Sequence, residues 1–358
     1  MWLYWLLFMF PALAAIASRD TVKVNSRGKS RLTPGWLIFG LVLVIVIGLR
    51  HQVGGDWYNY LGHLDLTRGE SLGYLLTQSD PGYKAMNWLS LALGWDIYGV
   101  NTMSAVLFTW GLVAFCRSLP RPWLAATVAI PYLVIVVAMG YSRQGIALGL
   151  AMLGLLALSR RAPSKFVVWV LAGAAFHRSA MLLLPIAALA ATRKRIWIAF
   201  WIAMTAAIGY LAFLERDIET LYRNYIERGY ESQGALIRLG MNAIAGGLFL
   251  GLRRRMGLTP EAESLWRWIS LLSLALFAAY FVAPGSSTAL DRLGLYLLPL
   301  QLVVFSHLPN AMGSGRTRKT WVAAVVAYYF LIQFVWLNFA ANAYAWLPYK
   351  SVLLEPGW

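Results

Sequence analysis

Arg50, His51, Asp56, Arg143, His177, Arg178, Asp291 and Arg292 stand at the edges of apolar segments, apart from the basic runs of the chain. Cations that share an apolar setting need anions, and Asp56, Asp291 and Asp80 are too few to balance them. A phosphate-bearing ligand would make up the difference, and arginine suits it because a planar guanidinium binds phosphate with two parallel hydrogen bonds. His177, with an ordinary imidazole pKa near 6.5, and Asp56 are both candidates for a general base. Arg143 is the leading candidate to stabilise developing phosphate charge, with Arg50, Arg178 and Arg292 in support. Trp57, Tyr58 and Tyr60 would suit sugar stacking. Blander roles compete with each of these. Arg50 and Arg292 could be interfacial side chains that reach back to water, His177 a satisfied structural histidine, Asp56 a turn or helix-cap residue, and the aromatics an interfacial belt. Arg143 opens a helix in MGYSRQGIALGLAMLGL, where the helix dipole disfavours a cation. His51 and His63 are assigned no role.

The elements that carry these residues are set by composition. The chain has 358 residues, 59% of them hydrophobic and 13% charged, about half the charged share of a soluble domain. Apolar runs long enough to cross a bilayer of about 30 Å recur throughout, so the expected fold is an all-α polytopic membrane bundle forming a single domain over 1–358. The net charge of +16 does not point to nucleic acid. Its basic residues cluster between apolar runs: Arg19–Lys23–Arg27–Lys29–Arg31, Arg160–Arg161–Lys165, Arg193–Lys194–Arg195, Arg253–Arg254–Arg255 and Arg316–Arg318–Lys319. That is the pattern of cytoplasmic loops. The lone Cys116 forms no intrachain disulfide.

With the basic clusters inside, helices are predicted over 1–17, 35–50, 99–116, 123–140, 143–159, 166–177, 179–192, 196–214, 239–252, 264–283, 293–309 and 320–338. These make about twelve crossings, the first helix retained and both termini outside. Helices 166–177 and 179–192 are short, as if tilted or broken within the membrane. An outer loop over 50–98 carries a re-entrant or amphipathic helix at 81–96, and 215–238 forms a second outer loop. This threading returns Arg50, Arg143, His177 and Arg292 to one outer face. A buried cation costs about 2.5–3.5 kcal/mol on insertion scales and usually faces a cavity or a partner.

Three stretches then look familiar. LRHQVGGDWYNY resembles the R-x-x-x-G-x-D-x-x-x-Y signature of the EpsG family, GYSRQGIALGLAMLGL its second motif, and FHRSAMLLLPI its third. The resemblance spans roughly 35–195, and beyond it the chain is similar only in being polytopic. EpsG proteins are similar to Wzy polymerases of the bacterial inner membrane, with folds that look related to GT-C glycosyltransferases. The resemblance implies polymerisation of oligosaccharide repeat units on undecaprenyl diphosphate at the periplasmic face, without a nucleotide sugar and with a separate chain-length regulator as partner. No Asp-x-Asp pair stands on the outer face, so no metal or other cofactor is expected. Alternatives are an O-antigen ligase-like glycosyltransferase with the same donor site, a membrane O-acyltransferase, and a transporter or flippase for a lipid-linked anionic saccharide. The last would favour repeated halves, which the sequence lacks.

Overall fold

The computed structural model describes residues 1–18, 32–191, 200, 204, 234–282 and 287–354. Most of the expected helix 196–214 and residues 215–233 of the expected loop 215–238 lie outside the described residues, and 235–238 of that loop are helical. The remainder is helical, and the only extended pairing among the described residues is the bridge between Arg50 and Ser351.

The helices are α1 (Trp2–Ala17), α2 (Pro34–Gly48), α3 (Trp57–Asp65), α4 (Leu72–Leu76), α5 (Pro81–Ala92), α6 (Asp96–Cys116) and α7 (Pro122–Ala129), the last continuing as a π-helix over Ile130–Ala138. Then come α8 (Ser142–Leu158), α9 (Pro163–Ala174), a 3₁₀ turn (Arg178–Leu183), α10 (Leu184–Ala191), α11 (Ala235–Leu252), α12 (Pro260–Val282), α13 (Ser287–Leu295), α14 (Pro299–Met312) and α15 (Gly315–Phe339). Proline stands at the first turn of α2, α5, α7 and α14, where a missing N–H costs nothing and the fixed φ suits the helix.

Four helices have the length and apolarity of a membrane span: α6, α11 with the turn after it, α12 and α15. A fifth arises if α13 and α14, bent by 48°, count as one broken span. Five more apolar helices have 10–17 residues, short of the about 20 that cross a bilayer upright. The expected twelve crossings are therefore not reached among the described residues, although the helices are those of a multi-pass membrane protein. The expected continuous helix 293–309 is broken at 296–298, where Pro299 has no amide N–H to carry the hydrogen-bond ladder on. The expected helix 123–140 changes register at Ile130–Pro131, where proline removes an amide donor. The segment 166–191 is broken as anticipated, its second half beginning as a 3₁₀ turn.

Packing explains why one end of this bundle is polar. The ends of α2 and the starts of α6 meet where Gly48 abuts Thr102, and their other ends where Gly40 faces Thr109, so the two helices run antiparallel. α6 and α8 run parallel, with Ser142 beside Asn101 and Gly149 against Phe108. A side chain at Gly149 would collide with the α6 backbone; glycine permits this close approach, which fixes the start of α8 beside the start of α6. α9 returns antiparallel, with Gly173 on Ala147. The ends of α2 and α9 and the starts of α6 and α8 thus converge. α3, α4 and α5 cover this end, and α5, which ends at Ala92 within the expected 81–96, buries Tyr83, Met86, Asn87 and Ser90 at helical spacing.

The chain after α15 folds back over the same end. The amide of His51 donates to the Lys350 carbonyl (3.0 Å), that of Gly54 to Ala345 (2.8 Å), and that of Val352 to Leu49 (3.0 Å). Trp346 is 1% exposed and donates its indole N–H to the Ile135 carbonyl (2.8 Å), while its own carbonyl accepts from the Tyr4 hydroxyl (2.7 Å).

Candidate functional site

Arg50 lies just beyond the end of α2 and is 1% exposed. Its Nε donates to the Val53 carbonyl (3.1 Å), one terminal nitrogen to the Ile47 carbonyl, and the other to Asn101 Oδ1 (3.0 Å) and Ser142 Oγ (2.8 Å). Trp57 packs over the guanidinium. Four of five donors are therefore spent on protein oxygens. This side chain clamps α2, α6 and α8 together and stands behind the site rather than in it. Asn101 and Ser142, rather than a carboxylate, hold it from α6 and α8.

Arg143 follows Ser142 at the start of α8. One terminal nitrogen donates to Asp80 Oδ2 at 3.0 Å, and the guanidinium lies over the rings of Tyr60 (5.9 Å) and Tyr83 (5.8 Å). Asp80 is the N-cap of α5, in a left-handed conformation at φ 54°. Its other oxygen accepts from the Arg178 backbone N–H (3.3 Å), and the next turn is tied down by Gly82 N–H donating to the Ala175 carbonyl (2.8 Å). One carboxylate thus joins α5, α8 and the turn that carries His177. Arg143 Nε and the Tyr83 hydroxyl are buried without a hydrogen-bond partner. Such groups are costly unless something binds them, and an anionic oxygen would suit the guanidinium.

His177 caps the 3₁₀ turn. Its Nδ1 accepts the backbone N–H of Ser179 (3.3 Å) and lies 2.8 Å from Ser179 Oγ, which is in turn 2.9 Å from the Tyr296 hydroxyl. A backbone amide can only donate, so Nδ1 must carry a lone pair. The neutral ring then bears its proton on Nε2 and presents a donor. Burial, joined by the charges of Arg143, Arg292 and Arg178, pushes this imidazole down to about 3. The expectation that left His177 and Asp56 as equal candidates for the base is thereby refined, because this tautomer has no lone pair on Nε2 to accept a proton.

Asp56 is half-buried and accepts from the Asn59 amide at 3.2 Å. Burial raises its carboxyl above the usual range, opposed by that hydrogen bond and by the charges of Arg143 and Arg292. The charges of those two arginines bear on both Asp56 and His177. Arg292 is exposed and makes no hydrogen bond or ion pair among the described residues. Arg178 is half-buried, its backbone on Asp80. The two tyrosines separate: Tyr60 is 3% exposed against Arg143, whereas Tyr58 is 71% exposed. Asp291 forms a bidentate pair with Arg238, which also donates to the Tyr132 hydroxyl (2.6 Å).

Tyr83, Ser179 and Tyr296 were not assigned to the site from sequence, and Asp80 was named there only as one of three nearby anions. The Asp-Pro-Gly start of α5 signals a helix cap, but only the fold shows that the cap also holds Arg143. Tyr296, 117 positions from Ser179, gave no signal.

The model of the EpsG family matches residues 35–351. It therefore extends well past the three motifs and takes in the returning segment that pairs with residues 49–54. No curated protein and no solved structure matches the chain.

Proposed function

The chain belongs to the EpsG family, a family of exopolysaccharide and Wzy-like polymerases, and from that premise we propose that it polymerises lipid-diphosphate-linked oligosaccharide repeat units by glycosyl transfer. The observation that carries the proposal is Arg143, fixed by Asp80 between two buried tyrosines with Nε unspent. In the proposed reaction an acceptor sugar hydroxyl attacks the anomeric carbon of the donor chain. Its oxygen forms the new glycosidic bond and its proton passes to the Asp56 carboxylate. The bond from the anomeric carbon to the diphosphate oxygen breaks, and undecaprenyl diphosphate departs with the electron pair. Arg143, aided by Arg178 and Arg292, stabilises the charge that develops on it. Preorganised cations are effective here because they need not reorganise as the charge appears. The Nε2–H of His177 donates to a diphosphate or sugar oxygen. Tyr58 supplies an open ring for a sugar face, and Arg50 and Tyr60 hold the cation platform in place. No step requires a metal or another cofactor.

The membrane orientation follows the same logic. Arg160 and Arg161 follow the far end of α8, and Arg316, Arg318 and Lys319 open α15 at that same end. Basic residues favour the cytoplasm, so the site would face the periplasm of a bacterial inner membrane. A chain-length regulator would be a separate partner. The test is polymer length in cells lacking the protein and complemented with Arg143→Ala at a matched membrane level. Single lipid-linked units without a ladder are expected, and a normal ladder removes Arg143 from the reaction.

A further inference from the structure

A second polar feature lies at the opposite end of the bundle. A cavity of about 330 Å³ opens where α1 ends and α7 and α15 begin, lined in part by Ile16, Ser18, Arg121, Arg318 and Lys319. We propose that this cavity binds the phosphate headgroup of an anionic membrane lipid.

Among the described residues, three cations line it and no carboxylate does. Arg121 is only 6% exposed and is braced by its Nε on Asn310 Oδ1 at 3.2 Å. Arg318 is half-buried, with Nε 3.5 Å from the Gly313 carbonyl, and Lys319 is exposed. The start of the 25-residue helix α15 adds its positive end beside them. Concentrated positive charge in a partly enclosed space selects an anion, and three donors of two kinds suit a phosphate's several oxygens.

The surroundings point to a lipid rather than a free ion. Ile16 lines the cavity and is 52% exposed; Leu13 (57%), Phe10 (44%), Met9 (39%) and Leu6 (57%) continue from it along α1. Their spacing of three to four residues makes one apolar stripe on the outer surface of the helix. The stripe runs from the cavity toward the middle of the bundle. A ligand that fits both features has a phosphate at one end and acyl chains along the other. Basic pockets between transmembrane helices on the cytoplasmic side hold such headgroups.

The test uses the full chain in neutral detergent, titrated with phosphatidylglycerol and followed by melting temperature and by lipid retained in native mass spectra. The parent is expected to bind phosphatidylglycerol in preference to phosphatidylcholine. The pair Arg318→Gln and Lys319→Gln should weaken binding about thirty-fold, and Lys319→Gln alone about five-fold. Arg254→Gln with Arg255→Gln, exposed cations outside the cavity, should leave binding within about three-fold. Equal losses from both pairs, or equal binding of the two lipids, would overturn the assignment. Inorganic phosphate that reproduces the full shift would overturn its lipid character in favour of a free-anion site.

Discussion

Replacing Asp80 with asparagine separates the positioning of Arg143 from its charge. The carboxylate lies 3.0 Å from Arg143, with side-chain exposures of 12% for Asp80 and 28% for Arg143. Removing one partner of a fully buried pair costs about 3–5 kcal/mol, and an exposed pair contributes about 0–1 kcal/mol; this pair lies between the two. Asparagine keeps an acceptor for the Arg178 amide, and the stacking of Arg143 on Tyr60 and Tyr83 remains, contributing about 0.5–2 kcal/mol. The expected loss of positioning energy is therefore about 1.5–2 kcal/mol, a rate roughly 10–30-fold lower. The assay is initial polymerisation rate with purified protein and lipid-linked repeat units, checked against ladder length in cells at matched membrane levels. An Asp80→Asn protein that polymerises within about two-fold of the parent would refute the reasoning. So would a loss of activity that only follows a loss of protein.

Three other outcomes follow from the site. Arg50→Lys cannot reproduce four hydrogen bonds from a planar fork, so it should destabilise the protein by about 3 kcal/mol or more; a normal melting temperature with activity lost would instead place Arg50 on the ligand. Gly54 has φ 109°, and a Cβ there would strike the Met139 carbonyl, so Gly54→Ala should cost at least about 2 kcal/mol in unfolding measurements. His177 has a pKa of about 3 in the folded chain against 6.5 as its ordinary value. Between those values the unfolded chain binds the proton and the folded chain does not, so stability rises with pH across this window and is lost as pH falls from 6.5 toward 3. His177→Gln should accordingly lose less melting temperature than the parent on going from about pH 7 to about pH 4.5; an equal drop in both would show that His177 does not titrate this way.

The residues that were legible in the sequence are those whose placement is costly. Arg143 and His177 stand out because a charge inside an apolar run demands a reason, and the fold joins both to Asp80 and its neighbouring turn. Arg50 stood out equally, but its role did not, since its partners lie 51 and 92 positions away and an asparagine and a serine give no warning. Helix breaks were harder to see. In Ile130–Ala138 every residue is buried, so apolar periodicity has no contrast with which to mark a change of register. The break before Pro299 had a local cause, the amide donor that proline lacks, and could have been read from the proline. The pairing of residues 345–352 with 49–54 had none, because main-chain hydrogen bonds leave little trace in side-chain type.

That pairing has a consequence for biogenesis. Residues 49–54 enter the membrane early, yet their amides and carbonyls find partners only when Ala345, Lys350 and Val352 have left the ribosome. Tyr4 likewise waits for Trp346. Contacts of such sequence separation are slow to close, so the nascent protein passes through a long interval in which helices are inserted and the polar end is unsealed. Until residues 345–352 dock, the Arg50 end of the bundle lacks these main-chain partners. The completion of this end of the fold is in this way written into the order of synthesis.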